Sequence, residues 1–337
     1  MHFAPPFGSR PLAIGNTKNP LPTPLPEYRA REQGARPYRG LSDRAVRNLF
    51  IIPALGLLIA FNVFPLLASL FISFTEFNPV HQKLADAEYV ALQNYRDLID
   101  SPQNLYLRPQ EPWKSFQRTA ALVLVTVTFQ TLIGFGVAML LHRSFPARDV
   151  LTALLLIPMM LSPAIVATFW KYVFNADYGA LNWLLGIDWN WRGGGLDAFV
   201  AVVIVEVWMW TPFMMLLTLA ALNSIPPSLY EAAAVDRAGA LFRFKNITLP
   251  LVAPLVLLGV TFRTMDTFRL FDTPFVLNGN QDGQPTTTVS VLLHYLGFGG
   301  SNPLGPATAL AYLLLIVAIA LANLVVRYLD LIRSRRA

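Results

Sequence analysis

Five charged residues lie inside stretches of the sequence that are otherwise almost entirely apolar. Glu206 is alone in one such stretch, and Arg263, Asp266, Arg269 and Asp272 recur every three residues in the next. Charges in a hydrocarbon environment are costly, so they pair with one another or mark a path for a polar ligand. Neighbours three residues apart share one face of a helix. We therefore expect an ion-paired stripe in the second stretch, with the Glu206 carboxylate opposite it.

The depth of Glu206 matches the middle of this stripe. At a rise of ~1.5 Å per residue, Glu206 lies near the level of Asp266 and Arg269, and we predict that it pairs with Arg263 or Arg269. Such a pair could join two neighbouring helices, or part of the stripe could face a path and bind a ligand rich in hydroxyl groups. Gln130 and Asn62 are further polar candidates for such a path. The residues that we assign to it are Glu206, Thr211, Met214, Arg263, Asp266, Phe268, Arg269 and Phe271.

Long apolar helices must position these side chains. The chain has 337 residues, of which 54% are hydrophobic and only 14% charged, against roughly 25% charged in soluble domains. Several uncharged runs reach the ~20 residues that a helix needs to cross a membrane. The fold class predicted is an all-α integral membrane protein with six transmembrane helices. The predicted spans are 49–74, 119–141, 150–170, 198–222, 251–277 and 307–326.

The distribution of basic residues predicts the orientation of these spans. Lys and Arg concentrate in residues 1–47, in the connections 142–149 and 223–250 and at the C-terminus, whereas residues 278–306 contain none. Basic loops lie on the cytoplasmic side, so both termini are predicted to be cytoplasmic. We divide the chain into a largely disordered, basic and proline-rich tail (1–47), a six-span domain (48–330) and a short basic tail (331–337).

A mildly polar stretch, residues 222–254, separates the fourth and fifth predicted spans. Pro226 and Pro227 must end the preceding helix. We predict a short helix over residues 230–240, with Ser228 as its N-cap and Glu231 completing a capping box three residues later. A helix presented between two spans is a natural docking element for a partner at the membrane surface. The other interpretation is an ordinary loop helix whose glutamate only caps it.

The sequence lacks the motifs of the common enzyme classes. It contains no G-x-x-x-x-G-K-[ST] phosphate loop, no H-E-x-x-H and no G-x-S-x-G, so we predict no catalytic residues, no bound cofactor and no enzymatic activity. The absence of cysteine excludes disulfides and thiolate metal sites, and no metal site is predicted. The net charge of +6 is accounted for by cytoplasmic loops of a membrane protein, so nucleic acid is not an expected partner.

The stretch between the fourth and fifth spans resembles the E-A-A-x(3)-G-x(9)-I-x-L-P motif of permease subunits in bacterial ABC importers. Glu231, Ala232 and Ala233 match its beginning, and Ile247, Leu249 and Pro250 match its end. The sequence departs at position 237, where arginine replaces the usual glycine, and Gly239 could supply some of the lost backbone freedom. The segments 92–95 (LQNY), 174–179 (FNADYG), 210–213 (WTPF) and 263–272 (RTMDTFRLFD) are similar to features of the carbohydrate-type permeases.

The resemblance implies a function and a set of partners. Two six-span permeases, here expected as a heterodimer, would form a path through the bacterial inner membrane for a sugar or polyol. A substrate-binding protein would deliver the substrate, and an ABC ATPase dimer would bind the ATP and receive the loop helix as a coupling helix. The residues expected to contact the ATPase are Glu231, Ala232, Ala233, Asp236, Arg237, Ala238, Gly239, Leu249 and Pro250.

Alternative functions are compatible with the residues. The substrate could be another small solute such as a glycerol phosphate. A secondary transporter would need no ATPase-docking loop and would typically contain an internal repeat with broken helices. A membrane-embedded enzyme is disfavoured because the catalytic motifs are absent.

Overall fold

A computed structural model describes residues 42–100, 111–279, 286–299 and 302–334. Within these ranges the regular structure is helical, and the only strand-like pairing is an isolated antiparallel bridge between Thr75 and Tyr89. This agrees with the predicted all-α class. Residues 1–41 of the predicted N-terminal tail lie outside the described residues.

The chain divides into two compact units at Val63. In the first unit, helix α1 (Asp43–Leu58) leads into a π-helical turn, Ile59–Val63. The longer helices of the second unit are α4 (Glu111–Leu141), α8 (Gly195–Asn223), α11 (Leu249–Phe268) and α14 (Leu304–Ser334). The shorter ones are α2 (Phe64–Ile72), α3 (Gln93–Asp100), α5 (Arg148–Met160), α6 (Pro163–Val173), α7 (Ala180–Leu185), α9 (Pro227–Val235), α10 (Ala240–Arg243), α12 (Asp272–Asn278) and α13 (Val289–Phe298).

Five helical stretches among the described residues are long and apolar enough to cross a membrane. They are Arg47–Ile72, Glu111–Leu141, Gly195–Asn223, Ala240–Phe268 and Leu304–Leu324, and a sixth crossing results if one bent helix pair counts as a single span. The predicted second span, 119–141, lies within α4, which starts eight residues earlier at Glu111. The last helix continues to Ser334, so most of the predicted tail 331–337 is helical.

The predicted third span is not one straight helix. Helices α5 and α6 are separated by Leu161 and Ser162 and are bent by 97°. Pro163 occupies the first position of α6, where its missing N–H and fixed φ are tolerated. Proline also disfavours the helical conformation in the residue before it, and Ser162 is extended, with φ −65° and ψ 135°. The chain therefore changes direction where the sequence places this proline.

The predicted fifth span, 251–277, also breaks. Helix α11 ends at Phe268, and a separate helix, α12, begins at Asp272. Pro274 explains the break, because in a continuous helix it could not donate to the carbonyl four residues earlier, that of Leu270. That carbonyl instead accepts a hydrogen bond of 2.8 Å from Thr288 Oγ1. Arg269 and Asp272 consequently lie beyond the end of α11 rather than on one continuous helical stripe.

Helices α4, α8 and α11 approach one another at small residues. Met214 of α8 is fully buried (0% exposed). A Cβ atom at Gly134 of α4 would lie 2.8 Å from Met214 Cβ, and one at Gly259 of α11 would lie 3.1 Å from Met214 Sδ. Glycines at such contacts let helices pack closely. The three helices therefore pack closely around Met214. This packing brings the charged residues of α8 and α11 together.

Candidate functional site

The two charges that the sequence analysis paired across α8 and α11 meet in the structure. Arg263 Nη2 lies 3.5 Å from Glu206 Oε2. Both residues are buried, with 1% of Glu206 and 2% of Arg263 exposed. The predicted pairing of Glu206 is thus confirmed for Arg263, whereas Arg269 is exposed beyond the end of α11.

Gln130 of α4 completes the connection between the three helices. It accepts a hydrogen bond of 3.1 Å from Arg263 Nε through its Oε1 atom and donates one of 3.0 Å through Nε2 to the backbone oxygen of Glu206. One side-chain amide therefore satisfies groups on both neighbouring helices, as buried polar groups require. We refer to Gln130, Glu206, Arg263, Asp266 and Thr273 as the polar cluster.

The remaining bonds of the polar cluster come from residues that the sequence analysis did not assign to it. Thr273 Oγ1 donates to Glu206 Oε1 over 2.5 Å, and Thr267 Oγ1 accepts from Arg263 Nη2 over 3.1 Å. The Arg263 guanidinium also lies 4.3 Å from the centroid of the Trp210 ring, a favourable cation–π contact. Thr267 and Trp210 follow Arg263 and Glu206 by four residues, so helical spacing could have identified them. Nothing local in the sequence points to Thr273.

Asp266 brings the polar cluster to an accessible surface. Its Oδ2 atom accepts a hydrogen bond of 2.5 Å from Arg263 Nη1, yet 55% of its side chain remains exposed. Arg263 thus lies between two carboxylates, one sealed by the helices and one open. A half-exposed carboxylate can accept hydrogen bonds from the hydroxyl groups of a ligand.

The other residues assigned to the path are dispersed around the polar cluster. Thr211 donates to the backbone oxygen of Val207 and borders an apolar cavity of about 480 Å³. Phe268 is buried beside a second apolar cavity of about 660 Å³. Phe271 stacks on Phe275, with ring centroids 4.8 Å apart. Met214 is fully buried because it packs between Gly134 and Gly259, so it does not line an open cavity in this structure.

The short loop helix starts and ends earlier than the sequence analysis predicted. It is helix α9, Pro227–Val235, with Pro226 as N-cap and no side-chain capping bond. The predicted capping box is therefore wrong: Pro227 takes the first helical position, where proline is favoured, and Ser228 falls inside the helix. Glu231 is exposed, and its carboxylate forms no side-chain hydrogen bond or ion pair among the described residues.

Arg237 takes the left-handed conformation that the motif glycine would supply. Its φ is +51°. The Arg237 N–H donates to Ala234 O over 3.0 Å, and the Ala238 N–H donates to Ala233 O over 2.8 Å. These two bonds define a Schellman motif at the C-terminus of α9. Gly239 does not compensate, since its φ is −65°, so the expectation that it supplies the lost freedom is wrong.

The end of the motif forms the entrance to α11. A π-helical turn, Phe244–Thr248, precedes it, and the Leu249 N–H donates to Phe244 O, five residues back. Pro250 has no N–H for the carbonyl of Asn246, so an α-helical ladder could not pass through this point unchanged. The wider turn is consistent with this missing donor.

The surface between α9 and α10 is apolar and uncovered. Ala233 is the only buried residue of α9, while Val235 is 83% exposed. Leu241 and Phe242 are also exposed large apolar residues. With Ala232 and Ala234 adding no bulk, a partner surface could approach this helix closely.

Comparisons with known proteins agree on one family. Residues 130–336 match the family described as binding-protein-dependent transport system inner membrane component. The chain is 34% identical over 295 residues to the trehalose/maltose transport system permease protein MalF of Thermococcus litoralis, covering 86% of this chain and 94% of the relative. It is 31% identical over 305 residues to the sulfoquinovosyl glycerol transport system permease protein SmoG of Agrobacterium fabrum, covering 88% and 92%.

The fold is also similar to a solved structure. The crystal structure is that of a bacterial ABC transporter involved in the import of the acidic polysaccharide alginate, and the chain matches it with a TM-score of 0.71 at 18% identity. The match covers 85% of this chain and 95% of the other. At this identity, the similarity extends to the fold alone.

Proposed function

This chain belongs to the family of binding-protein-dependent transport system inner membrane components, so it is a multi-pass inner-membrane permease of ABC importers and not an enzyme, and we propose that it forms half of the path for a saccharide or polyol. A second six-span permease supplies the other half, giving a heterodimer above an ABC ATPase dimer. A substrate-binding protein delivers the substrate. The support for the substrate class is that the relatives named above are permeases for trehalose or maltose and for sulfoquinovosyl glycerol.

Helix α9 is the coupling helix of this assembly, on the cytoplasmic side together with both termini. The observation that carries this proposal is the uncovered surface around α9, where Val235 and Leu241 are exposed. The Glu231 carboxylate does not cap its own helix. Large exposed apolar groups beside an unpaired charge mark an interaction surface. The ATPase fits this surface because the loop carries the E-A-A motif and basic residues that favour the cytoplasmic side.

We assign the polar cluster as the part of the path at which this chain contacts the substrate. Asp266 is its accessible member, and Arg263 behind it is already paired with two carboxylates. An exposed carboxylate accepts hydrogen bonds from neutral hydroxyl groups and repels a phosphate. This favours a neutral saccharide over an anionic solute, whether a glycerol phosphate or a sulfonated sugar such as that named for SmoG. Phe271 could add a ring face to the same path.

Uptake by the reconstituted transporter tests both parts of the proposal. The full complex in proteoliposomes, with its binding protein and internal ATP, is given labelled trehalose, maltose or glycerol 3-phosphate. We expect uptake of at least one disaccharide. Glu231→Lys should reduce this uptake at least tenfold (~1.4 kcal/mol or more) because the reversed charge lies on the ATPase-docking surface.

Glu88→Lys is the matched control. Glu88 is an exposed glutamate in the loop between α2 and α3, and reversing its charge should leave uptake within twofold of wild type. Undiminished disaccharide uptake by the Glu231→Lys complex contradicts the coupling role of α9. Uptake of glycerol 3-phosphate with neither disaccharide contradicts the substrate class.

A further inference from the structure

A cleft lined by both basic and apolar residues lies next to the coupling helix. Its volume is about 500 Å³, and it is formed where the C-terminal end of α4 meets α8, α9 and α10. His142, Arg143 and Arg243 are basic residues that line it, and Met139 and Leu140 are exposed apolar residues in the same lining. We call this space the basic cleft.

The two arginines of the basic cleft are not paired with a carboxylate in the part of the chain that the structure describes. His142 is held in place through a contact of 3.0 Å between its Nδ1 atom and Asn223 Oδ1. Two unpaired arginines lining one cavity make a concave surface of positive potential, which suits an anion.

The basic cleft lies at the boundary of a membrane span. The apolar segment Glu111–Leu141 ends one residue before His142, and Leu140 is an exposed apolar residue just inside that end. If this helix spans the membrane, its end places the cationic groups at the level of the lipid headgroups, with Leu140 on the hydrocarbon side of them. A ligand that contacts both the arginines and the apolar lining is amphipathic and negatively charged.

We propose that the basic cleft binds the phosphodiester headgroup of an anionic phospholipid, between Arg143 and Arg243, with an acyl chain lying along the exposed apolar residues Met139 and Leu140. Arginine binds phosphate oxygens with paired N–H donors. Basic pockets between transmembrane helices on the cytoplasmic side are suited to such headgroups.

Bound lipid would contact the coupling helix directly. Tyr230 of α9 lines the basic cleft, and its hydroxyl lies 2.9 Å from Thr248 Oγ1, at the entrance to α11. A headgroup in this position would fill the space between α9 and the end of α4. This consequence for coupling rests on the proposed function, whereas lipid binding itself does not.

Native mass spectrometry of the purified full-length protein tests the proposal. The probes are 1-palmitoyl-2-oleoyl phosphatidylglycerol, the matching phosphatidylcholine and inorganic phosphate. We expect retention of phosphatidylglycerol over phosphatidylcholine, and no displacement by equimolar inorganic phosphate. Arg143→Gln and Arg243→Gln should each weaken phosphatidylglycerol binding about fivefold, as expected for one basic residue near a lipid surface.

Two variants make the result specific to the basic cleft. Lys245→Gln removes an exposed charge two residues from Arg243 that does not line the cleft, and it should leave binding unchanged. The double variant Arg143→Lys, Arg243→Lys keeps both charges and should bind within threefold of wild type, which separates charge loss from misfolding.

Three results would overturn the proposal. The first is unchanged phosphatidylglycerol binding when both arginines are replaced by glutamine. The second is an equal loss in the Lys245→Gln variant, which would indicate general surface charge. The third is loss of ATPase association in Arg243→Gln with lipid binding unchanged, which would make the basic cleft an ATPase contact. None of these results depends on which substrate is transported, so failure here is distinguishable from failure of the proposed function.

Discussion

Arg263 holds its charge in a part of the bundle that is almost sealed from solvent. Its guanidinium contacts two carboxylates, Gln130, Thr267 and the Trp210 ring. Burying an ion pair is expensive, and such pairs are stable only when additional hydrogen bonds satisfy the remaining donors and acceptors. The surrounding amide and hydroxyl groups supply most of these bonds, whereas Glu206 Oε2 has no hydrogen-bond partner among the described residues beyond its ion pair with Arg263. The residues of the polar cluster therefore depend on one another.

This dependence predicts that single and double substitutions in the polar cluster have non-additive effects on the free energy of unfolding. Arg263→Gln leaves the buried Glu206 carboxylate without its ion-pair partner and should lower the free energy of unfolding by about 3 kcal/mol. Glu206→Gln should cost less, because Arg263 keeps its ion pair with Asp266. The loss in free energy of unfolding for the double variant should be smaller than the sum of the losses for the two single variants. Unfolding of the purified protein in mixed micelles measures these changes, and uptake in proteoliposomes reports any added effect on the path.

Arg269→Gln is the control for this prediction. Arg269 is exposed beyond the end of α11, so its replacement should change the free energy of unfolding by less than about 0.5 kcal/mol. Additive losses at Glu206 and Arg263 would show that the two residues do not interact energetically.

At the scale of single elements, the C-terminus of α9 contains a strained residue. Arg237 has a positive φ, which costs a side-chain-bearing residue roughly 1 kcal/mol that glycine does not incur. The Schellman bonds to Ala233 and Ala234 hold it there. The substitution at the motif glycine therefore leaves the backbone of the turn unchanged and adds a long basic side chain to the surface proposed to meet the ATPase.

Arg237→Gly should make this turn more stable. A gain of about 0.5–1 kcal/mol corresponds to two- to fivefold slower hydrogen exchange at the Ala238 amide. Ala234→Gly, inside the same helix, should accelerate exchange there because glycine is about 1 kcal/mol less favourable than alanine in a helix interior. Faster exchange in Arg237→Gly would contradict the strain at this position.

The breaks in the helices belong to the same scale. Pro163 starts α6 and Pro274 lies in the first turn of α12, so each proline is at a position where its missing N–H is harmless. Both prolines were visible in the sequence. Hydropathy alone, which averages over about 20 residues, joins the segments on either side into single spans.

For the whole molecule, contacts between helices depend on positions where no side chain fits. Gly134 and Gly136 lie two residues apart on α4, yet a Cβ at Gly134 would meet Met214 Cβ at 2.8 Å and Met215 N at 2.9 Å, whereas one at Gly136 would meet nothing within 4 Å. The first glycine faces α8 and the second does not.

Gly134→Ala and Gly136→Ala should therefore have opposite effects. Overpacking at Gly134 should lower the free energy of unfolding by about 1–3 kcal/mol, while Gly136→Ala should be neutral or stabilise by up to about 1 kcal/mol through helix propensity. Unfolding in mixed micelles distinguishes the two. Equal effects would mean that α4 and α8 do not pack through Gly134.

The helical membrane class, the approximate apolar stretches and the E-A-A motif could all be identified from the sequence alone. Each of these is encoded locally: spans by runs of apolar residues, and the loop helix by its prolines and the residues from Glu231 to Pro250. The pairing of Glu206 was predictable to within two arginines, because rise per residue fixes depth along a helix but not rotation about its axis.

The choice between these arginines and the assembly of the rest of the polar cluster depend on contacts between helices. Gln130 and Thr273 lie 76 and 67 residues from Glu206 in the chain, and no periodicity within one helix specifies a contact with another. The same holds for Met214, a candidate for the path in the sequence and a packing residue in the fold. Which face of a helix is buried depends on the neighbours it meets, and these are set by close approach at Gly134 and Gly259.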